Sequence, residues 1–165
     1  MEELKSKVKK ILEENLYMTI SVASKDAESW IANIYYVYDK DHSFYWYSPK
    51  DSKHSKIIRE NLSIAVFDST AVGDDVDAVY IKARSHEISD RAELIKGLTF
   101  YTQKMIKTKF ANMEIASRIL KQTGDFEGTS KIRMYKAVPE KIYKLAPSEV
   151  YNDKFIDSRI KVDLN

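Results

Sequence analysis

The chain has 165 residues, 44% hydrophobic and 32% charged, the proportions of a soluble globular protein, and a single domain of about this length buries enough surface to need no metal or disulfide staple. Its 27 basic and 25 acidic residues give a net charge of +2 and are interspersed, with Lys5, Lys7, Lys9 and Lys10 offset by Glu2, Glu3, Glu13 and Glu14, so the one-sided basic stripe of a nucleic-acid binder is missing. The absence of cysteine excludes thiol catalysis, disulfides and thiolate metal sites, and no apolar run reaches the length of a signal segment or membrane span, so a cytoplasmic protein with no membrane partner is expected.

Residues 2–16 carry Leu4, Val8, Ile11 and Leu12 on one stripe among Lys and Glu, the pattern of an amphipathic packing helix. Three strands follow: Tyr17 to Ala23, Ser29 to Tyr38 and Ser43 to Ser48, separated by the polar turns 24–27 and 39–42. Strands this short, joined by such turns, predict an antiparallel meander. Pro49-Lys50-Asp51 breaks the pattern, and residues 52–60 read as a short helix that ends at Asn61. Leu62 to Asp68 reads as a buried strand, residues 69–75 as an acidic loop and Val76 to Ile88 as a long strand with one wet face. Residues 90–122 are predicted helical in two pieces, and Lys131 to Ala137 and Lys141 to Leu145 are predicted as two late strands split by Pro139. Strands without βαβ alternation, plus one helical insertion, predict a mainly β (α+β) chain: an antiparallel barrel with peripheral helices. The domain is expected to span residues 1–147, with residues 148–165 a C-terminal tail.

The segment from Tyr47 to Lys56 is the most informative. A strand ends at Ser48, a helix starts with Asp51 or Ser52 as N-cap, and Ser48, Ser52, Lys53, His54 and Ser55 crowd the junction. Hydroxyls and cations beside unpaired helical N–H groups suit a phosphate monoester; a capped surface helix with solvated lysines is the alternative. Cations in a first helical turn are unfavourable without an anion to offset them. The aromatic residues Trp30, Tyr35, Tyr36, Tyr38, Phe44, Tyr45, Trp46 and Tyr47 crowd two neighbouring strands. Alternation places Tyr36 and Tyr38 opposite Tyr35 and Val37, and Tyr45 and Tyr47 opposite Phe44 and Trp46. One face belongs to the core, and the other awaits a planar ligand, a partner subunit or cross-strand aromatic pairing. His42, His54 and His86 lack metal-ligand spacing, and Asp74, Asp75 and Asp77 lack that of a calcium loop, so no metal site is expected. Gly-x-Ser-x-Gly, Walker A and Gly-x-Gly-x-x-Gly motifs are missing, and no catalytic residue is identified.

At these residues the chain resembles the pyridoxamine 5'-phosphate oxidase-like FMN-binding split-barrel family, closest to a branch of short microbial members. The resemblance runs over about residues 10–145. It is carried by Tyr35, Tyr36 and Asp39, then Ser48, Lys53-His54, Asn61, Leu62 to Phe67, and the strand Val79 to Ser85. It implies a six-stranded antiparallel split barrel, a homodimer and FMN in a cleft between subunits. The phosphate contacts of the family carry over to Ser48, Ser52, Lys53 and His54. Those of the isoalloxazine ring carry over to Asn33, Ile34, Tyr35 and Tyr36, with Tyr47 nearby. The implied function is an FMN-dependent oxidoreductase acting on a small-molecule redox substrate. The alternative on the same barrel is a non-catalytic dimeric module holding flavin, haem or another planar anionic ligand. Ala27-Glu28 replaces a glycine frequent before the second strand, Ala83 and Ser85 replace smaller residues, and Lys53 stands where arginine is common. The residues that bind pyridoxal phosphate in true pyridoxamine phosphate oxidases have no match.

Overall fold

The computed structural model describes residues 2–26, 28–58, 61–68, 70–72, 76–146, 149–151, 154–156 and 158–164. Of the expected elements, residues 59 and 60 of the short helix, Ser69 and residues 73–75 of the acidic loop, and part of the tail lie outside that set.

Helix α1 (Glu2–Glu14) forms where apolar positions recur at helical spacing, with Glu2 and Glu3 in its first turn, where a negative charge complements the helix dipole. It buries Val8, Ile11 and Leu12. β1 (Tyr17–Ala23) pairs antiparallel with β2 (Ser29–Tyr35), Tyr17 opposite Tyr35 and Ala23 opposite Ser29. β3 (Val37–Tyr38) instead pairs with β4 (Phe44–Pro49). The predicted strand from Ser29 to Tyr38 is therefore two strands with different neighbours, divided at Tyr36. After α2 (Lys53–Ile57) come β5 (Asn61–Phe67) and β6 (Ala78–Glu87), then α3 (Arg91–Lys107), α4 (Met113–Lys121) and β7 (Ile132–Leu145). β8 (Glu149–Tyr151) and β9 (Lys154–Ile156) pair with each other, and β10 (Arg159–Val162) pairs with β7.

The sheet runs β2-β1-β5-β6-β7-β4-β3, with β10 attached to β7. It is a curled, entirely antiparallel sheet flanked by helices, an α+β split barrel. Among the described residues it has eight strands and not six, because Tyr36 divides one expected strand and β10 joins the sheet. The two late strands, by contrast, are the single β7. Pro139 sits where the register with β6 shifts, opposite Ala83, while Lys141 stands opposite Lys82. A bulge tolerates a residue without an N–H, so proline bends the strand without ending it.

Two cores result. Inside the curl, Met18, Ile20, Ile34, Tyr36, Phe44, Trp46 and Ile64 pack with the buried stripe of α1. The Tyr36 hydroxyl donates to the Leu12 carbonyl at 2.7 Å and ties helix to sheet. Outside it, Tyr35, Val37, Tyr45 and Met134 are covered by Leu94, Leu98, Tyr101 and Met105 of α3. Asp90 and Asn112 cap α3 and α4 by accepting from the backbone N–H three residues on. Gly97 permits the close approach of α3: a β-carbon there would lie 2.6 Å from Met134 Sδ and 2.9 Å from a Tyr45 ring carbon.

Candidate functional site

β4 alternates cleanly. Phe44, Trp46 and Ser48 share the inner side, and Tyr45 and Tyr47 pack outward with the α3 cluster. Ser48, next to last in β4, is 5% exposed, and four residues later the chain caps α2 with Ser52. This short excursion returns His54 to Ser48: their Nε2 and Oγ atoms are 2.9 Å apart. The same Nε2 is 3.1 Å from Ser52 Oγ, and Ser52 Oγ donates to Ser55 Oγ at 2.9 Å. Ser48, Ser52, His54 and Ser55 are thus one connected group. Burial lowers the pKa of His54 below its ordinary value, so at neutral pH it joins the group as an uncharged imidazole.

α2 has five residues, too few for a substantial macrodipole, so the candidate anion ligands here are side chains and not the helix end. Lys53 does not join them. Its Nζ donates to Glu28 Oε1 at 2.7 Å and lies 5.9 Å from the centre of the Trp30 ring. Deeper on the same face of β4, Trp46 stacks on Tyr135 with ring centres 5.6 Å apart. The Trp46 Nε1 is fully buried without a hydrogen-bond partner among the described residues.

The candidate ring-contacting residues are distributed over both faces of the sheet. Ile34 and Tyr36 point into the barrel core. Tyr35 and Tyr47 point outward and meet on Tyr101, with ring centres 5.1 and 4.6 Å from it. The second aromatic face is therefore largely covered within this chain by α3, so its aromatic content does not by itself call for a ligand or partner. Burial raises the pKa of Tyr35, Tyr36, Tyr47 and Tyr101, so all four remain neutral phenols. Asn33 is exposed on β2, accepts from the Thr19 hydroxyl at 2.7 Å, and lines a groove of about 830 Å³ with Tyr17, Leu16, Ala65 and Phe67. Tyr17, Ile31 and Phe67 are each at least half exposed on this part of the sheet.

Two neighbours of the Ser48 group could not be found by reading along the chain. Arg133 stands directly opposite Ser48 across the β4–β7 ladder, and Tyr135 opposite Trp46. Burial raises the Tyr135 pKa, and the Ser55 hydroxyl interacts with its phenol in the opposite sense. Alternation along β7 marks Arg133 and Tyr135 as sharing a face, but strand register decides what they face, and register across more than 80 residues leaves no local signal. Among the described residues, no three His, Asp or Glu side chains form a metal-binding group, and no helix is long and apolar enough to cross a membrane.

No protein-family model and no curated protein matches the chain. Solved structures do. A Listeria innocua protein provisionally assigned as a pyridoxamine 5'-phosphate oxidase aligns with a TM-score of 0.58 at 14% identity, over 84% of this chain and 95% of that one. The general stress protein 26 of Bacillus anthracis aligns with a TM-score of 0.56 at 19% identity, over 94% and 99%. The chain has the pyridoxamine 5'-phosphate oxidase-like split-barrel fold. The same split barrel occurs in HutZ, described as the haem storage protein of Vibrio cholerae, with a TM-score of 0.61 at 10% identity over 84% of this chain and 92% of HutZ. Identities this low establish shared architecture, and the split barrel alone assigns no chemistry.

Proposed function

We propose that this split barrel is an FMN-binding flavoprotein, an FMN-dependent oxidoreductase acting on a small-molecule redox substrate. Ser48, Ser52, Lys53 and His54 hold the phosphate, and the ring lies along β2 near Asn33, Ile34, Tyr35 and Tyr36, with Tyr47 close by. The observation that carries this reading is the convergence of the Ser48 and Ser52 hydroxyls on the half-buried imidazole of His54, with the Ser55 hydroxyl joined through Ser52. These are donors suited to phosphate oxygens. Lys53 adds a positive charge once it exchanges Glu28 for the ligand. Such a site fits a phosphate ester. Bound flavin supplies the redox chemistry, and the chain supplies binding, orientation and electrostatics.

A homodimer with the cofactor cleft between subunits belongs to the same reading. The exposed apolar residues Tyr17, Ile31 and Phe67 around the Asn33 groove support it. The fold shared with a haem storage protein supports a second reading, a non-catalytic module holding haem or another planar anionic ligand.

The visible spectrum of the purified protein tests these readings. Flavin bands that bleach with a reduced nicotinamide support the oxidoreductase, and flavin bands inert to reductants support a flavin-holding module. A haem Soret band that persists after added FMN fails to bind supports the haem reading. Colourless protein that takes up neither cofactor overturns both. For the phosphate assignment, Lys53→Ala with His54→Ala weakens FMN binding, each lost charge-assisted hydrogen bond costing about 1.5–3 kcal/mol. Unchanged affinity refutes the assignment.

A further inference from the structure

The Ser48 group has neutral partners, and Lys53, the lysine between Ser52 and His54, is engaged by Glu28. A phosphate ester needs a cation, and the β4–β7 register puts one on the same face. Ser48 is opposite Arg133 and Trp46 is opposite Tyr135. Directly opposed residues of an antiparallel pair project to one side, and the Trp46–Tyr135 stack fixes which side that is.

The Arg133 side chain is only 11% exposed, and its Nε donates to Glu87 Oε1 at 3.0 Å. Its Nη1 donates to the Ser130 and Ile132 carbonyls at 2.7 and 2.8 Å, and its Nη2 to the Gly128 carbonyl. Three backbone carbonyls hold the guanidinium in place, and one carboxylate neutralises it. Glu87 is the last residue of β6 and its side chain is half exposed. It can return to water at little cost, whereas the largely buried Arg133 cannot be left without a counter-ion.

We propose that Arg133 is a further cation of the anion site and that Glu87 is its resident counter-ion, displaced when a phosphate ester binds beside Ser48. A phosphate oxygen can accept from Nε as the Glu87 carboxylate oxygen does, so the exchange keeps Arg133 satisfied while bringing a charge to the Ser48–His54 group. This rests on the phosphate reading of Ser48 and His54 and adds a residue and a competitor to it.

The test is calorimetric titration of the full chain with FMN and, in parallel, with riboflavin, which has the ring but no phosphate. Glu87→Gln tightens FMN binding severalfold and leaves riboflavin unchanged. Arg133→Met weakens FMN by about tenfold or more, again without effect on riboflavin. In the Arg133→Met background, Glu87→Gln no longer tightens FMN. If parent protein binds FMN no better than riboflavin, the phosphate reading itself falls, and the counter-ion exchange with it. If the parent prefers FMN but Glu87→Gln leaves its affinity unchanged or lowers it, the exchange is wrong and the phosphate reading stands. Equal losses of FMN and riboflavin in Arg133→Met mark Arg133 as a purely structural anchor and also overturn the proposal. Glu87→Gln keeps size and shape at a half-exposed position, so it reports even if Arg133→Met fails to fold.

Discussion

The ammonium of Lys104 lies 4.0 Å from the centre of the Tyr36 ring and donates to the Asn15 carbonyl at 2.9 Å. It bridges α3, the end of α1 and the residue at which the second strand divides. Burial, reinforced by the nearby charge of Lys107, lowers its pKa from 10.5 to about 8. Between those two values the unfolded chain holds a proton that the folded chain has released, so the Lys104 contribution to stability rises with pH across that window. Denaturant titrations of parent and Lys104→Met at pH 7, 8.5 and 10 check this. The parent gains on the variant as pH rises, and a constant difference refutes the buried, easily deprotonated amine.

His54 has the same sign, at lower pH. Its folded pKa is below the ordinary value of 6.5, so its contribution is complete above 6.5 and is lost as the pH falls through the folded value. The His54 ring protons, followed by NMR, titrate below the ordinary histidine range in the free protein. Saturating FMN moves the midpoint upward, because a nearby phosphate favours imidazolium. A midpoint unmoved by FMN places the phosphate elsewhere.

Asp39 anchors the turn between β3 and β4. Its fully buried carboxylate accepts from Lys96 Nζ at 2.7 Å, the Tyr45 hydroxyl at 3.0 Å and the backbone N–H groups of Asp41 and Ser43. Burial pushes its pKa up, but the hydrogen bonds from Lys96, Ser43 and Tyr45 outweigh it and leave the value below 3.8. Asp39→Asn loses the charge-assisted contacts and costs about 2 kcal/mol or more at neutral pH. The deficit shrinks as pH falls through the folded pKa, because the parent then loses the same charge. Urea melts at pH 7 and pH 3 compare the two; an equal deficit at both refutes the ionised contact.

Gly97 sets propensity against packing. Alanine favours an α-helix by about 1 kcal/mol over glycine, yet a β-carbon at this position falls on Met134 and the Tyr45 ring. Overpacking of this kind costs about 1–3 kcal/mol. Gly97→Ala therefore lowers the thermal midpoint, and a rise shows that α3 can lift from the sheet without loss.

These elements also show what the linear sequence can carry. α1, α3, α4, β1, β4 and β5 follow from periodicity and caps, and the Ser48–Ser52–His54 group lies within seven residues, so its proximity follows from chain connectivity. Register is different. The division at Tyr36 arises because Tyr35 is paired with Tyr17 whereas Val37 is paired with Tyr45, a choice made by distant partners. The continuity of β7 through Pro139 likewise depends on a bulge against β6. The outward aromatic face was legible as a face, but its cover, α3, is more than 40 residues further along the chain. Arg133 was hidden for the same reason.

The division at Tyr36 bears on solubility as well as shape. β2 and β3, the two ends of the main strand order, are consecutive in the chain. An open sheet offers each terminal strand as a template for strand addition by a passing molecule. Here the curl turns both terminal strands toward a single covalent corner, anchored by a tyrosine whose hydroxyl is bound to α1. A recruited strand would have to contend with that corner as well as the exposed backbone, so the curl guards against fibrillar growth.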